Sequence, residues 1–267
     1  MTATTAPNAL PRVILTRPAP QAPAWATALT EAGFDVALLP LIDIQPLPAP
    51  APPATLPDLA QYQAIFPVSP NAIDGLVHWL GPAALSTASC RFLCPGAGTA
   101  QTLMALGVVA SRIVQPPAEL PQDSAQLWQH LQTHHPLQAG QALLVVQGQD
   151  AAQAAGPNWL GLQASALGVA VHSISTYQRS APDLTVAQAE LAQAAAQDGS
   201  VWLFSSSQAI ANLAALLPEQ SWAGTPCIAT HPRIGQMAAK YGLHTRICPP
   251  NLNDIAHALH SMQANPN

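Results

Sequence analysis

The stretch VSPNAIDGL at Val68–Leu76 decides the fold, because it recurs about 135 residues later as SSSQAIANL at Ser205–Leu213. Two further pairs of segments recur in the same order at about the same offset: Ala32–Val36 with Leu167–Val171, and Gly96–Gly107 with His231–Gly242. In the first of these pairs, a helix-like stretch ends at a glycine and a strand-like run begins. Three pairs in one register predict that the chain contains two similar units.

Short apolar runs between the repeats predict strands, and stretches with helical spacing of apolar residues separate most of them. The predicted strands are Val13–Thr16, Val36–Leu39, Ala64–Val68, Arg91–Cys94, Ala142–Val146, Val169–Ile174, Val201–Ser205, Thr225–Ala229 and Thr245–Cys248. Continuous apolar strands alternating with helices are typical of parallel sheets that helices cover on both faces. The sequence therefore predicts an α/β fold with two similar doubly wound, flavodoxin-like lobes.

Two segments interrupt this alternation. Ile44–Asp58 is too rich in proline for a helix or a central strand, and the shorter, polar Ser175–Asp183 occupies the corresponding place in the second unit. Both are predicted to be extended connectors. Two connectors at equivalent points indicate that the chain crosses between lobes twice, which would leave a cleft between them.

Charge is scarce in this chain. Of its 267 residues, 49% are hydrophobic and 8% charged, with 8 Lys and Arg against 13 Asp and Glu and a formal net charge of -5. This composition excludes intrinsic disorder and offers no basic stripe for nucleic acid. No apolar run reaches the ~20 residues that span a bilayer, and the N-terminal sequence lacks the pattern of a signal peptide. We therefore expect a soluble, cytoplasmic protein.

Familiar catalytic and metal-binding motifs are absent from the sequence. Gly96 and Gly98 form a GxG without the third glycine of a dinucleotide-binding loop, and no Walker, GxSxG or HExxH motif occurs. The four cysteines include no CxxC pair, so they are predicted to be buried thiols rather than zinc ligands.

What remains is a set of predicted strand-to-helix turns with small hydroxyl and amide side chains. They are Thr16–Pro18, Ser69–Asn71, Gly98–Thr99, Gln147–Gln149, Ser205–Gln208 and Thr230–Arg233. Any one turn is explained by helix capping alone. Six turns at the carboxyl ends of parallel strands, where helix N-termini attract anions, favour a ligand with several carboxylates or phosphates. Tyr177 also stands out, because it lies in a predicted connector, where a half-buried packing role is equally open.

The order of these segments resembles the uroporphyrinogen-III synthase family. The matching pieces are Val13–Pro18, Gly33–Ile42, Phe66–Ile73, Gly96–Ala100, Thr176–Arg179, Phe204–Ala209 and Ala229–Ile234. Each piece is short, and their order over nearly the whole chain carries the resemblance. It implies a discontinuous first lobe of residues 1–43 and 181–267, a second lobe of residues 47–176, and a two-stranded hinge near residues 40–47 and 175–182.

The resemblance also implies an activity. Enzymes of this family work without a cofactor and close hydroxymethylbilane, a linear tetrapyrrole with eight carboxylates, into uroporphyrinogen III. Water is lost, and the last pyrrole ring is inverted through a spiro intermediate. The resemblance implies a monomer, with at most transient contact with the preceding enzyme of the pathway.

Site residues follow from the same resemblance. Tyr177 matches a tyrosine of the family's hinge and is the candidate that protonates or hydrogen-bonds the leaving hydroxyl. The positions that match substrate-binding turns are Arg17, Ser69, Asn71, Ala72, Gly98, Thr99, Gln147, Gly148, Ser206, Ser207, Gln208 and Arg233. Backbone N–H groups and hydroxyls at such turns would receive the acetate and propionate groups.

Two departures from the family pattern concern cations. Bacterial members often have Arg-Gly-x-x-Gly-Arg after the fifth strand, whereas this chain has Gln147–Ala152 with an acid and no arginine. The last turn often has Gly-x-x-Thr, whereas here it is His231–Ile234, in which Arg233 could restore a cation. The sequence thus leaves two alternatives open: a non-catalytic two-lobed protein that binds an anionic metabolite, and a sugar-phosphate-binding α/β domain.

Overall fold

The computed structural model of the protein describes residues 10–50, 56–150, 156 and 158–264. The chain divides into two compact units, with unit 1 formed by Met1–Asp43 and Ser180–Asn267 and unit 2 by Ile44–Arg179. None of the helices in the described ranges combines the length and apolarity needed to cross a membrane.

Strands and helices alternate along the chain. The first elements are β1 (Val13–Leu15), α1 (Ala22–Glu31), β2 (Val36–Leu38) and β3 (Asp43–Pro46). They are followed by β4 (Ala64–Pro67), α2 (Pro70–Leu80), α3 (Pro82–Thr87), β5 (Arg91–Leu93), α4 (Ala97–Ala105), β6 (Ile113–Val114), α5 (Ser124–His134), β7 (Ala142–Asp150), α6 (Trp159–Ala166) and β8 (Ala170–Ser180). The last are α7 (Val186–Ala195), β9 (Val201–Phe204), α8 (Ser207–Leu216), β10 (Pro226–Ala229), α9 (Pro232–Lys240), β11 (His244–Ile247) and α10 (Leu252–Ala264).

The sheet of unit 1 has the strand order β2-β1-β9-β10-β11, and every neighbouring pair is parallel. Numbered along the chain within this unit, the order is 2-1-3-4-5, as in flavodoxin. Apolar residues line both faces of the sheet. Leu15 and Leu203 pack into a cluster on one face, and the adjacent Ile14 and Trp202 are fully buried as well.

The sheet of unit 2 repeats this arrangement in permuted chain order. Its strands run β3-β8-β7-β4-β5-β6, and the pairs from β8 to β6 are parallel. In the sequence repeat, β8 is equivalent to β2, β4 to β9 and β5 to β10, so the two sheets have the same five-strand order. Separate core clusters on the two faces contain Ile65 and Phe66, neighbours along β4. The predicted fold class, two similar parallel-sheet α/β lobes, is confirmed.

In the first repeated segment pair, the glycine between the helix and the following strand has a positive φ in both copies. Gly33 follows α1 with φ of 93°, and Gly168 follows α6 with φ of 80°. This left-handed conformation ends a helix and strongly favours glycine.

All nine predicted strands are present, but the two strands next to the predicted site are longer than expected. β7 continues to Asp150 and β8 to Ser180, because they pair with each other as far as Asp150 and Arg179 after a register shift at Gln147/Gly148. The predicted turn at Gln147–Gln149 is therefore wrong, and so is the predicted connector over Ser175–Ser180. These extensions consist mostly of polar residues, and the pattern of apolar runs therefore did not predict them as strands.

The other predicted connector, Ile44–Asp58, begins with a strand. β3 occupies its first residues beside β8, and the Leu47 amide donates to the Thr176 carbonyl at 2.9 Å. Pro46 is accommodated because β3 is an edge strand. Residues 51–55 of this segment lie outside the described part of the chain. The short β6 was also not predicted.

Candidate active site

In each unit, the chain leaves two neighbouring strands toward opposite edges of the sheet, and the position between these two strands locates the candidate site. In unit 2 this point lies between β4 and β7, whose ends are joined by the Val68 amide and the Val146 carbonyl at 3.0 Å. In unit 1 it lies between β1 and β9. Ligands of open α/β sheets bind beyond the carboxyl ends of the strands at this point.

The central feature of unit 2 is a hydrogen bond between two hydroxyl groups. The Ser69 Oγ, directly after the β4 end, lies 3.1 Å from the phenolic oxygen of Tyr177 on β8. Tyr177 belongs to a strand rather than to a connector, and only 4% of its surface is exposed. It packs in the core cluster with Ile73 and Leu144. The ring is therefore fixed, while its hydroxyl reaches the strand ends.

Ser69 holds this bond instead of capping its own helix. It is the N-cap residue of α2, followed by Pro70 at the first helical position, and its side chain makes no capping hydrogen bond. Its counterpart in the repeat, Ser206, does cap: its Oγ accepts from the Gln208 amide at 3.1 Å. Equivalent serines thus serve different purposes in the two units.

Two glycines permit the close packing around Tyr177. A Cβ atom on Gly148 would overlap the Tyr177 ring, and a Cβ atom on Gly75 in α2 would overlap Thr176. The Thr176 hydroxyl donates to the Ala72 carbonyl at 3.3 Å, which joins β8 to the first turn of α2. Sequence reasoning missed Gly75 and Thr176. A glycine in the interior of an apolar helix was the available signal for a close approach.

The remaining unit 2 residues assigned to binding differ in accessibility. Asn71 is half-buried and Gly98 exposed, whereas Thr99 and Ala72 are buried in the first turns of α4 and α2. The Ala72 side chain is fully buried, so only its backbone is a candidate for binding a ligand. Gln147 is buried as well, and its side-chain amide donates to the Gly156 carbonyl at 3.1 Å.

The acid between the two positions of the missing arginines is paired with a cation of its own unit. Asp150 at the end of β7 accepts a hydrogen bond from the Arg179 Nε at 3.1 Å. Residues 151–155, where the family pattern would have its second arginine, lie outside the described ranges.

In unit 1, Gln208 supports the structure as well as marking the start of α8. Its side-chain amide donates to Asn212 Oδ1 at 2.8 Å, and Asn212 Nδ2 donates to the Leu41 carbonyl at 2.7 Å. Asn212 was missed because its partner lies 171 residues away. Arg233 is exposed in the first turn of α9, whose N-cap is His231, with Nδ1 accepting from the Arg233 amide at 3.2 Å.

Arg17 and Ser207 lie at the adjacent ends of β1 and β9. The guanidinium carbon of Arg17 is 3.9 Å from the centre of the Trp25 ring. Both the Arg17 Nε and the Ser207 Oγ are buried and have no hydrogen-bond partner within the described part of the chain. Burial lowers the pKa of Arg17 to about 10, so the group is charged at neutral pH.

The cysteines are buried in the cores of the units. All four are free and buried. Burial raises the pKa of Cys90 to about 11 and that of Cys94 to about 12, which keeps both thiols protonated at neutral pH. Among the described residues, no group of three or more His, Cys, Asp or Glu could hold a metal ion.

Two flavodoxin-like units, one inserted in the sequence of the other and both with hydroxyl-bearing strand ends, define a narrow class of α/β protein. The family model of uroporphyrinogen-III synthase HemD matches residues 23–255, so the chain belongs to this family. The resemblance seen in the sequence is thereby confirmed. No curated protein sequence matches the chain significantly.

Solved structures agree with the fold. The uroporphyrinogen-III synthetase from Helicobacter pylori 26695 aligns with a TM-score of 0.59 and 14% identity, over 95% of this chain and 100% of that one. A mutant uroporphyrinogen III synthase from the extremely thermophilic bacterium Thermus thermophilus aligns with a TM-score of 0.52 and 15% identity, over 96% and 99%. At such low identity, the likeness concerns the fold alone.

Proposed function

We infer that this chain is a uroporphyrinogen-III synthase, a lyase that closes hydroxymethylbilane into uroporphyrinogen III without a cofactor. The family model over residues 23–255 supports the reaction class. The observation that carries the chemistry is the Ser69–Tyr177 hydroxyl pair, 3.1 Å apart at the strand ends of unit 2. It provides a proton donor in a position fixed by core packing.

The difficult event is departure of the terminal hydroxyl. In our proposal the Tyr177 phenol donates its proton to that hydroxyl as the carbon–oxygen bond breaks, so that water and an azafulvene cation form. The Ser69 hydroxyl donates to the phenolic oxygen and stabilises the charge that develops there. Attack by the substituted carbon of the last ring gives the spiro intermediate, which fragments and recloses with that ring inverted. A proton released on rearomatisation returns to Tyr177.

Substrate carboxylates would bind at the strand ends of both units. We propose the backbone amides of Asn71, Gly98 and Thr99 and the Asn71 side chain in unit 2, with the backbone of Ala72, Gln147 and Gly148. In unit 1 we propose Arg17, Ser206, Ser207, Gln208 and Arg233. Apart from Gln147 and Gly148, which lie on β7, these residues lie at helix N-termini or in the turns before them, which suit carboxylates without a dense cationic pocket.

The broader setting is proposed on the same basis. We propose a cytoplasmic monomer that acts on a linear tetrapyrrole and meets the preceding enzyme of the pathway only transiently. We further propose lobes of residues 1–43 with 181–267 and of residues 47–176, with hinge segments near residues 40–47 and 175–182. The boundaries between units at Asp43/Ile44 and Arg179/Ser180 support this division.

The test of the proposed function is isomer analysis. Freshly prepared hydroxymethylbilane is supplied, and the porphyrins are separated after oxidation. We expect isomer III, since unaided closure gives isomer I. Isomer I alone would leave a non-catalytic binding protein as the better description.

The role of Tyr177 is tested in the same assay. We expect Tyr177→Phe to reduce the rate of isomer III formation by about 100-fold or more, because general acid catalysis typically contributes that much. Tyr62→Phe is the matched control: the Tyr62 hydroxyl bonds to His172 Nδ1 at 3.0 Å. An unchanged rate in Tyr177→Phe would remove this residue from the mechanism.

A further inference from the structure

Over the segment in which β8 pairs with β7, it contains one residue more than its partner. Gln147 lies opposite Ser175, but Gly148 lies opposite Tyr177, so that Thr176 has no partner on β7. An extra, unpaired residue in one of two strands is a β-bulge. Bulges are rare between parallel strands, and near active sites they redirect a side chain. This bulge lies directly before Tyr177, the proposed proton donor.

The bulge changes the face of the sheet on which Tyr177 lies. Val171 packs against the core cluster on one face, and Ile174 packs against the cluster on the other face, as strand alternation requires. Continued alternation would put Tyr177 on the face of Val171. Tyr177 instead belongs to the cluster of Ile174, which also contains Ile73 of α2. Ser69 directly precedes α2, so this is the face on which the phenol reaches it.

Contacts on two sides hold Thr176 in the bulge. The residue is fully buried, and its hydroxyl donates to the Ala72 carbonyl in α2 at 3.3 Å. The Thr176 carbonyl accepts from the amide of Leu47, just beyond β3, at 2.9 Å. Gly75 leaves the space that Thr176 fills, since a Cβ atom on Gly75 would overlap it. Because a buried hydroxyl that loses its acceptor is costly, the bond to Ala72 stabilises the bulged register.

We propose that Thr176 is a positioning residue for the reaction: its hydrogen bond to Ala72 fixes the bulge and thereby holds the Tyr177 phenol beside Ser69. The proposal rests on the proposed function for the reaction that the phenol serves. Thr176 is fully buried, so it acts through Tyr177 and not on the substrate. In a regular register, Thr176 would lie opposite Gly148, and Tyr177 would move to the other face of the sheet, away from Ser69.

The experiment compares Thr176→Val with Thr225→Val. Valine keeps the branched shape of threonine but lacks its hydroxyl. Thr225 is the matched control in unit 1, since it is also buried and its hydroxyl donates to the Ala196 carbonyl at 3.1 Å. We expect Thr176→Val to lower kcat for isomer III formation by about tenfold to a hundredfold while KM stays within about twofold, because a misplaced group slows the chemical step. Thr225→Val should keep the wild-type kcat, and equal kcat values for the two variants would overturn the proposal.

Rescue by serine separates the hydroxyl from the shape of the side chain. Thr176→Ser keeps the donor, so its kcat should lie within about threefold of the wild-type value. A kcat of Thr176→Ser as low as that of Thr176→Val would show that the hydrogen bond to Ala72 is not the cause and would overturn the proposal. If Thr176→Val does not fold, Thr176→Ala, which also lacks the hydroxyl and is smaller, takes its place in each comparison.

The NMR signal of the phenol provides a measurement that requires no turnover. The chain has three tyrosines, so labelling tyrosine Cζ with carbon-13 gives three signals, and Tyr177→Phe assigns one of them. The chemical shift of this carbon responds to hydrogen bonding of the attached hydroxyl. We expect the Tyr177 signal to move in Thr176→Val as it does in Ser69→Ala. It should return in Thr176→Ser and stay in place in Thr225→Val.

This signal distinguishes failure of the proposal from failure of the proposed function. A Tyr177 signal that moves in the expected way supports the positioning role of Thr176 even if the wild type forms only isomer I. Formation of isomer III together with an unmoved Tyr177 signal in Thr176→Val leaves the proposed function standing and overturns the positioning role.

Discussion

Tyr177 illustrates at the residue scale how packing prepares a reactive group. Its ring lies against Gly148, its neighbour Thr176 lies against Gly75, and its hydroxyl meets Ser69 at 3.1 Å. A side chain 4% exposed has few alternative rotamers, so little ordering is needed when the substrate binds. The position of the hydroxyl therefore depends on residues that carry no chemistry themselves.

We expect Gly148→Ala to be costly because its new methyl group would overlap the Tyr177 ring. The free energy of unfolding should fall by about 1–3 kcal/mol, as in other overpacked cores, and turnover should fall with it. Urea unfolding and the isomer assay measure these effects. For stability, Gly98→Ala is the control, since the nearest atom to its new methyl group is Pro70 Cγ at 3.9 Å. Equal stability of the two variants would contradict the close packing described for Tyr177.

The buried thiol of Cys94 should make the stability of the protein depend on pH. Its pKa is raised by burial from 9.0 to about 12, so the folded chain keeps a proton that the unfolded chain loses above about pH 9. The free energy of unfolding should therefore decrease as pH rises through this window, by up to about 1.4 kcal/mol per pH unit. The Cys94→Ala variant lacks the contribution of this thiol to the pH dependence. Its destabilisation relative to the wild type, measured by guanidinium unfolding, should shrink above pH 9; a constant difference would contradict the inference.

At the scale of elements, the two units use the same strand-to-helix junction in two ways. In unit 1, Ser206 caps α8 through the Gln208 amide. In unit 2, Ser69 leaves α2 without a side-chain cap and bonds to Tyr177 instead. Comparing the two equivalent serines can therefore separate an effect on helix stability from an effect on the reaction.

We expect alanine substitutions at these two serines to have different effects. Ser206→Ala should lower the free energy of unfolding by about 1 kcal/mol, the usual effect of losing an N-cap. Ser69→Ala should mainly lower kcat, by roughly tenfold, since the Tyr177 hydroxyl loses the partner that orients it. Chemical unfolding and steady-state kinetics on both variants provide the comparison. An unchanged kcat in Ser69→Ala would show that the bond has no catalytic value.

Elements were predictable where local patterns determine them. The strands β1, β4 and β9 are apolar runs followed by turn residues, and their positions follow from the sequence alone. The extensions of β7 and β8 were not predictable in this way, because polar residues such as Gln178 become strand by pairing with another strand. Pairing at a sheet edge is a tertiary effect that propensity does not encode.

The candidate site was predictable as a set of turns but not as a set of contacts. Ser69 and Tyr177 were each identified by their residue types and their resemblance to family positions, yet 108 residues separate them. Their bond requires the β4–β7–β8 order of the folded sheet. Likewise, Arg17 was a candidate substrate-binding residue from the sequence, but only the structure revealed that its buried Nε has no hydrogen-bond partner among the described residues.

At the scale of the whole molecule, scarcity of charge constrains how the substrate can be held. Eight Lys and Arg serve the whole chain, and Arg12 and Arg179 are engaged in ion pairs. A substrate with eight carboxylates cannot be matched cation by cation. We therefore expect most recognition to come from helix N-termini, backbone amides and hydroxyls.

This predicts a shallow salt dependence. The KM for hydroxymethylbilane should change by less than about tenfold between about 0.05 M and 0.5 M NaCl, because screening acts mainly on exposed charge pairs. The initial rate of isomer III formation, measured across this range, checks the prediction. A much steeper rise in KM would indicate a cationic binding surface instead.

The most direct test of the central claim is the ratio of isomers III and I formed from hydroxymethylbilane. Catalytic amounts of the protein are supplied with fresh substrate, and unaided closure is run in parallel. We predict that the wild-type chain yields isomer III in excess and that Tyr177→Phe shifts the ratio toward isomer I. An isomer ratio identical to that of unaided closure would contradict the assignment of this chain as a uroporphyrinogen-III synthase.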